Sequence, residues 1–396
     1  MTDMTFDAPT ASESAATGRA AFGRDALRAP GSGHPIPHHG MPPLETAERP
    51  LSLYEFWPMR VFYAPMLLYW VWLALRFRGA TLAALANPLI EAGGLWGESK
   101  AEILDQVGPS ARSWVAPWAA VKRGSAATCV RDAESRMADA GLAYPLVAKP
   151  DVGCRGAGVR VVASADELAS YLRAYPENET VLLQELVDEE GEAGVFYARF
   201  PGEARGRIFS ITLKYFPRVV GDGSSTLREL IMADPRAGKI AHVYLPRHAE
   251  RLDMVLPAGQ PYRIAFAGSH SRGAIFRDGT HLVTDAMVDR FDAIARAIPE
   301  FHFGRFDVRF ADIAALQRGE GFKIVEINGA GGEATHVWDC RVPLAKAWRD
   351  LMHQYWLAFA IGAANRARGF KAPSLRLYWQ LYRKHCRLMP AYPPTQ

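Results

Sequence analysis

A chain of 396 residues, 49% hydrophobic and 22% charged, is long enough to bury a large core and too apolar to be disordered throughout. Its formal net charge of +4 is too mild to require a nucleic-acid partner, so none is expected. The widely spaced Cys129, Cys154, Cys340 and Cys386 frame neither a zinc site nor a disulfide scaffold, and the first fifty residues lack the apolar run of a secretory signal, so a cytoplasmic protein is expected.

Residues 1–50 are rich in Ala, Ser, Gly, Pro and His without helical or strand period, and are expected to be a disordered tail. His34, His38 and His39 fall there without a second set of metal ligands. Residues 51–95 form an aromatic helical segment, in which residues 61–75 carry no charge between Arg60 and Arg76. A spanning helix needs about 20 residues, so this run is short, and Pro65 interrupts its start. Two placements stay open, packing in the core or peripheral contact with the inner membrane face. The second suits Tyr54, Phe56, Trp57, Tyr69, Trp70 and Trp72 with flanking Arg60, Arg76 and Arg78.

Beyond residue 96, Val/Ile-rich runs at 144–149, 159–163, 181–186, 208–214 and 322–327 read as strands, and apolar spacing of three and four over 166–174 and 284–298 reads as helices. The class is α+β. Residues 361–396 are basic, with a helix expected over 374–388.

The first chemical signal is a strand ending in Lys149, followed by a loop with Gly153, Gly156 and Gly158. Such a loop is either a tight hairpin connection or a phosphate cradle, and it lacks the Walker lysine pattern. Next, the strand at 181–187 leads into acids at 188–192: its main chain at Glu185 can meet an adenine edge while Glu192, seven residues on, accepts from ribose hydroxyls, or these acids form a solvated turn. Third, strand alternation puts Arg305 with Asp307 on one face and Glu326 with Asn328 on one face of a second strand. Asp307, Glu326 and Asn328 suit Mg²⁺, with Arg305 at the transferring phosphoryl group; the alternative is the polar face of an exposed strand pair.

In this order, and with Val115-Ala-Pro-Trp118, Gln184-Glu185, Gly304-Arg305-Phe-Asp307 and Glu326-Ile-Asn328, residues from about 96 to 357 resemble the ATP-grasp superfamily and its D-alanine:D-alanine ligases. The resemblance implies an ATP-grasp domain over 96–360, with two α+β subdomains clasping ATP. It further implies Lys149 on the α/β phosphates, a mobile lid at 151–158, an adenine hinge at Glu185, Leu186 and Val187, and Glu192 on ribose. Lys214 would lie near the terminal phosphates, Lys100 would be the earlier phosphate lysine, and the metal would be Mg²⁺ or Mn²⁺.

Residues 216–231 are similar to a segment of cyanophycin synthetases and bifunctional glutathione synthetases, which implies amide formation on amino-acid substrates. Locally, Gly221-Asp-Gly223 reads as a tight turn and Ser225 or Thr226 as a helix cap. The region before Trp96 lacks the small domain that usually precedes the grasp, and the lid lacks the serines of dipeptide ligases. The carboxylate and amine therefore stay unnamed. Arg263, His270, Ser271, Arg272 and Glu333 fall where a substrate could be held, or are surface residues. The expected activity is ATP-dependent joining of a small-molecule carboxylate to an amine through an acyl phosphate. A small-molecule kinase and a non-catalytic, membrane-tethered nucleotide-binding regulator are the rivals. Asp307→Asn and Glu326→Gln are expected to abolish turnover with the fold intact.

Overall fold

Two antiparallel sheets carry the architecture. A computed structural model describes residues 38–44, 51–124, 126–154, 156–265, 268 and 273–395. The first sheet comprises β1 (Trp118–Lys122), β2 (Leu146–Pro150), β3 (Arg160–Val162) and β4 (Thr180–Glu185), in the order β1-β4-β2-β3. One face buries Val121, Leu146, Ala148, Val162, Val181 and Leu183 under the helices Ala126–Asp139 and Ala165–Ala174. The second helix begins at Ser164, whose side chain accepts from the Glu167 amide and so satisfies one of the amides left open at a helix start.

Downstream come β5 (Gly191–Ala198), β6 (Arg207–Tyr215), β7 (Arg218–Val220), β8 (Pro261–Arg263), β9 (Ile275–Asp278), β10 (Phe303–Phe310) and β11 (Phe322–Asn328). Five of these form the second sheet in the order β11-β10-β5-β6-β9, and β7 pairs with β8 in a ribbon. The Asp285–Arg296 helix, capped by Thr284, lays Met287, Phe291 and Ile294 against Val195, Tyr197, Phe306 and Val308 of this sheet. Burying a side chain such as Phe291 stabilises by about 1.5–3 kcal/mol. The chain is α+β, as expected. Thr226 forms a full capping box with Glu229, and Asp222 accepts from the amides of Ser224 and Ser225, so the expected turn and cap are both present.

Three stretches differ from the expected organisation. Within the supposed tail, residues 38–44 are docked: Met41 is buried in the main core, His38 Nδ1 lies 3.1 Å from Glu190 Oε1, Tyr215 donates to the Pro42 carbonyl at 3.0 Å, and the Ile313 amide donates to the Gly40 carbonyl at 2.8 Å. The apolar Met41 and Leu44 supply the packing that polar composition hides. His34 lies outside the described residues.

The helix Leu344–Ala367 runs through the expected boundary at 360. It crosses the Leu82–Ala86 turn closely enough that a Cβ on Gly362 would sit 2.1 Å from the Leu82 carbonyl oxygen, so only glycine fits there.

The basic C-terminal stretch packs back on the first sheet and its loop. After the helix Leu375–Leu388, capped by Ser374 as expected, Tyr392 stacks on Tyr175 with ring centroids 5.4 Å apart and donates to the Val152 carbonyl at 2.5 Å. Thr395 Oγ1 accepts from the Gly158 amide at 3.0 Å and donates to the Gly156 carbonyl at 2.9 Å. Aromatic side chains at 382 and 392 find partners that a reading of charge alone does not anticipate.

In the aromatic segment, Tyr54, Phe62 and Met66 pack with Trp338, and Leu73 packs with Leu82 and Leu357. Tyr54 donates to the carbonyls of Val337 at 2.6 Å and Val342 at 3.0 Å, and buried Glu55 pairs with buried Arg236. One side of this segment is therefore core. No helix among the described residues is long and apolar enough to cross a membrane.

Candidate active site

The chain crosses from the first sheet to the second between the end of β4 at Glu185 and the start of β5 at Gly191. Beside that crossing, side chains from both sheets meet. Lys149, at the end of β2, is buried and donates to Gln184 Oε1 at 2.7 Å and to the Val325 carbonyl of β11 at 2.9 Å. Gln184 is the diagonal neighbour across the β2–β4 pair, where Val147 faces Gln184 and Lys149 faces Leu182. The Val325 carbonyl is available because β10 and β11 slip register: Asp307 faces Glu326 while Val308 faces Ile324, leaving Val325 as the extra residue of a bulge. Burial holds the Lys149 ammonium low, at about 8, against the opposing pull of Glu326.

Behind Lys149 lies a tight charge network. Lys214 on β6 sits 3.0 Å from Glu192 Oε1 and 3.1 Å from Asp307 Oδ1, and Arg305 grips both oxygens of Asp307 at 2.8 and 2.9 Å. Arg309 Nε lies 3.0 Å from the other oxygen of Glu192. Burial pushes the Asp307 carboxyl up, but Arg305 and Lys214 outweigh it and hold it well below the usual carboxylate range. Burial likewise pulls Lys214 down, and Asp307 with Glu192 more than offset it.

Asn328 donates its amide to Asp307 Oδ2 at 3.3 Å, and half-exposed Glu326 lies 3.6 Å from Lys100. Lys100 starts the Lys100–Asp105 helix and donates to the Gly153 carbonyl at 2.8 Å. Its neighbours Ser99 and Ala101 anchor to Asp151 at 2.9 and 2.8 Å, which ties that helix start to the glycine loop.

Eight expected residues thus come together: Lys100, Lys149, Glu192, Lys214, Arg305, Asp307, Glu326 and Asn328. Gly153, Gly156 and Gly158 lie in the loop that joins the antiparallel strands β2 and β3, so the hairpin geometry is real. Glu185 is exposed at the end of β4, its amide bonded to the Pro117 carbonyl at 2.9 Å, with Leu186 and Val187 following in the crossing. Glu192 sits one residue into β5, beside Lys214.

Arg263 is half-buried further out, its guanidinium carbon 3.6 Å from the Phe216 ring centroid. Glu333 accepts from Tyr63 and from Trp338 Nε1, the latter at 2.6 Å, while its carbonyl accepts from Arg305 at 2.7 Å. His270, Ser271 and Arg272 lie outside the described residues. Gln184 stands in the family motif and Arg309 in the same strand as Asp307, but the sequence gives neither a role in the site. Arg309 follows Arg305 and Asp307 by strand alternation, so that signal was present, whereas the role of Gln184 depends on the β2–β4 register.

Asp307 and Glu326 face each other across paired strands, with Asn328 on the same strand as Glu326. Two carboxylates and an amide oxygen are a hard-oxygen donor set of the kind Mg²⁺ takes together with phosphates, so the residues fit such an ion. No group of three His, Cys, Asp or Glu side chains capable of holding a metal occurs among the described residues.

No family model matches the chain, and no curated protein matches it. Solved structures similar to it include D-alanine–D-alanine ligase from Bacillus anthracis, at 12% identity and TM-score 0.38 over 68% of each chain. They also include the D-cycloserine synthetase DcsG, at 15% identity and TM-score 0.35 over 65% of this chain and 70% of that one. A third is the bifunctional glutathione synthetase from Pasteurella multocida, at 14% identity and TM-score 0.36 over 65% of this chain. The chain spans 36% of that synthetase's length. The likeness covers part of each chain.

Proposed function

We propose that this chain is an ATP-grasp enzyme, an ATP-dependent carboxylate–amine ligase acting in the cytoplasm on small molecules such as amino acids, with a catalytic domain that begins near residue 96 and extends through the helix Leu344–Ala367. The observation that carries this reading is the meeting of Lys149, Lys214 and Arg305 with Asp307, Glu326 and Glu192 where the two sheets face each other. A fold gains little from so many buried charges, because desolvation offsets much of their attraction. Nucleotide phosphates give them a use. In the chain alone, Lys149 is held by the neutral oxygens of Gln184 and Val325, while Lys214 and Arg305 are paired with carboxylates. On binding, Lys149 and Lys100 turn to the α/β phosphates and Lys214 to the terminal ones, while Glu185 to Val187 meet the adenine edge, Glu192 meets ribose and the loop at 151–158 covers the phosphates.

Mg²⁺ or Mn²⁺ held by Asp307, Glu326 and Asn328 would supply charge neutralisation at the terminal phosphates. Arg305 faces the transferring group as a carboxylate oxygen attacks the γ-phosphorus and ADP leaves. An amine then attacks the acyl carbon: the C–N bond forms, the acyl C–O bond breaks, phosphate leaves with the bridging oxygen, and the amine's proton passes to that phosphate or to water. Positioning and electrostatics suffice for both steps, so no nucleophilic side chain is needed.

The test is phosphate release by the purified chain with ATP and Mg²⁺ against paired carboxylates and amines. Release that needs both partners, with an amide product, is expected. A stable phosphorylated product formed without amine would make it a kinase, and nucleotide binding without turnover across the panel would make it a regulator.

A further inference from the structure

The Ala64–Arg76 helix has a second apolar side. Met66 and Leu73 are buried, whereas Ala64, Leu67, Leu68, Val71, Trp72 and Leu75 are all exposed. Their spacing of three and four places them on one stripe. Leu68 is 73% and Leu75 is 75% exposed, and just upstream Val61, Met59 and Leu53, the last at 70%, are exposed as well. Single exposed apolar residues are ordinary, but an unbroken stripe along a whole helix marks a contact surface.

Charge says what the surface meets. Residues 56–90 contain three arginines, Arg60, Arg76 and Arg78, and no acid; residues 351–396 contain seven Lys and Arg residues and no acid, of which Arg368 pairs with Glu300 and Lys384 and Arg387 with Glu179. The two stretches join: Arg366 donates to the carbonyls of Phe77 and Arg78 at 2.8 and 3.0 Å, and Thr81 donates to the Pro373 carbonyl at 2.9 Å. Just beyond Pro373, the Leu375–Leu388 helix exposes Leu375, Arg376, Trp379 and Arg383.

We propose that this apolar and cationic surface docks on an anionic phospholipid layer. Leu68, Val71, Trp72 and Leu75 enter below the headgroups, and Arg60, Arg76 and Arg78 meet the phosphates. At 13 residues the helix is about 20 Å long, too short for a hydrocarbon core of about 30 Å. Trp70 also packs edge-on against Tyr355 and Phe359, which fixes the inner side to the protein and lays the helix flat. A second copy of the chain is a poorer occupant, since a two-fold contact would set arginines against arginines at its rim.

The experiment is flotation of the full chain with phosphatidylcholine vesicles, with and without phosphatidylserine, at low and high salt. Binding that needs phosphatidylserine and weakens with salt is expected. Replacing Arg60, Arg76 and Arg78 by Gln should lower partitioning on the order of a hundredfold. Leu68→Glu with Trp72→Glu should lower it about tenfold or more while melting temperature and nucleotide affinity hold. Three outcomes would overturn the proposal: protein that stays with the soluble fraction, glutamate variants that partition like the parent, or a dimer in sedimentation equilibrium that those variants dissociate. The readout is partitioning, so it is independent of whether the ligase reading survives.

Discussion

Replacing Lys149 by Met keeps the length of the side chain and removes its charge. In the folded chain the ammonium titrates at about 8 because it is buried, whereas an unfolded chain holds that proton to about 10.4. Between those values the unfolded chain binds more protons, so folding gains as pH rises through the window and loses the same amount as pH falls back through it, with no further loss below about 8. The full swing is about 3 kcal/mol. Urea unfolding of parent and variant, followed from pH 7 to 10, should therefore give curves that diverge: the parent gains stability relative to Met above pH 8 and levels off near the unfolded value. Subtracting the two curves removes the other titrating groups. Nucleotide affinity should behave oppositely, since a charged hydrogen bond to phosphate contributes about 1.5–3 kcal/mol and only the protonated amine makes it. Parent affinity should fall above pH 8, while the Met variant binds weakly at every pH. Parallel stability curves would show that Lys149 is not held in this depressed state, and unchanged affinity in the variant would move the phosphate site elsewhere.

The expectation that Asp307→Asn leaves the fold intact is revised, because Asp307 is buried between Arg305 and Lys214. The variant should lose turnover and also about 3–5 kcal/mol in urea unfolding, and a loss below 1 kcal/mol would contradict the network described here. Half-exposed Glu326 differs: Glu326→Gln should lose phosphate release with its unfolding midpoint nearly unchanged, and retained release would remove it from the metal set. Glu55→Gln leaves Arg236 buried without its partner charge, so about 3–5 kcal/mol of stability should go while nucleotide affinity, measured calorimetrically, stays. A shift in affinity there would tie the aromatic segment to the site.

What was legible in the sequence followed local periodicity. The strands around Lys149, Gln184, Asp307 and Glu326 emerged within one or two residues, because alternation and β-branched content are properties of short windows. Alternation also put Arg305 beside Asp307 and Glu326 beside Asn328 without knowledge of the sheet. What stayed hidden depends on partners distant in sequence. His38 reaches Glu190 across 152 positions, Tyr63 reaches Glu333 across 270, and Thr395 reaches Gly156 across 239. No local pattern marks such pairs. The bulge that frees the Val325 carbonyl was equally invisible, since nothing in Phe322-Lys-Ile-Val-Glu-Ile-Asn328 distinguishes a slipped register from an even one. The aromatic segment's composition suits either core or interface, since a helix apolar all round can present one side to each.

The end of the chain has a consequence for the timing of events at the glycine loop. Thr395 is bonded to both Gly156 and Gly158, and Tyr392 is wedged against the same loop, where a Cβ on Gly158 would come within 3.2 Å of it. The loop cannot swing outward while those contacts stand. Two hydrogen bonds at about 1 kcal/mol each make the released arrangement some thirtyfold rarer than it would be without them. Residues 392–395 therefore tie the loop to the body of the protein, and any displacement of it must first break those contacts.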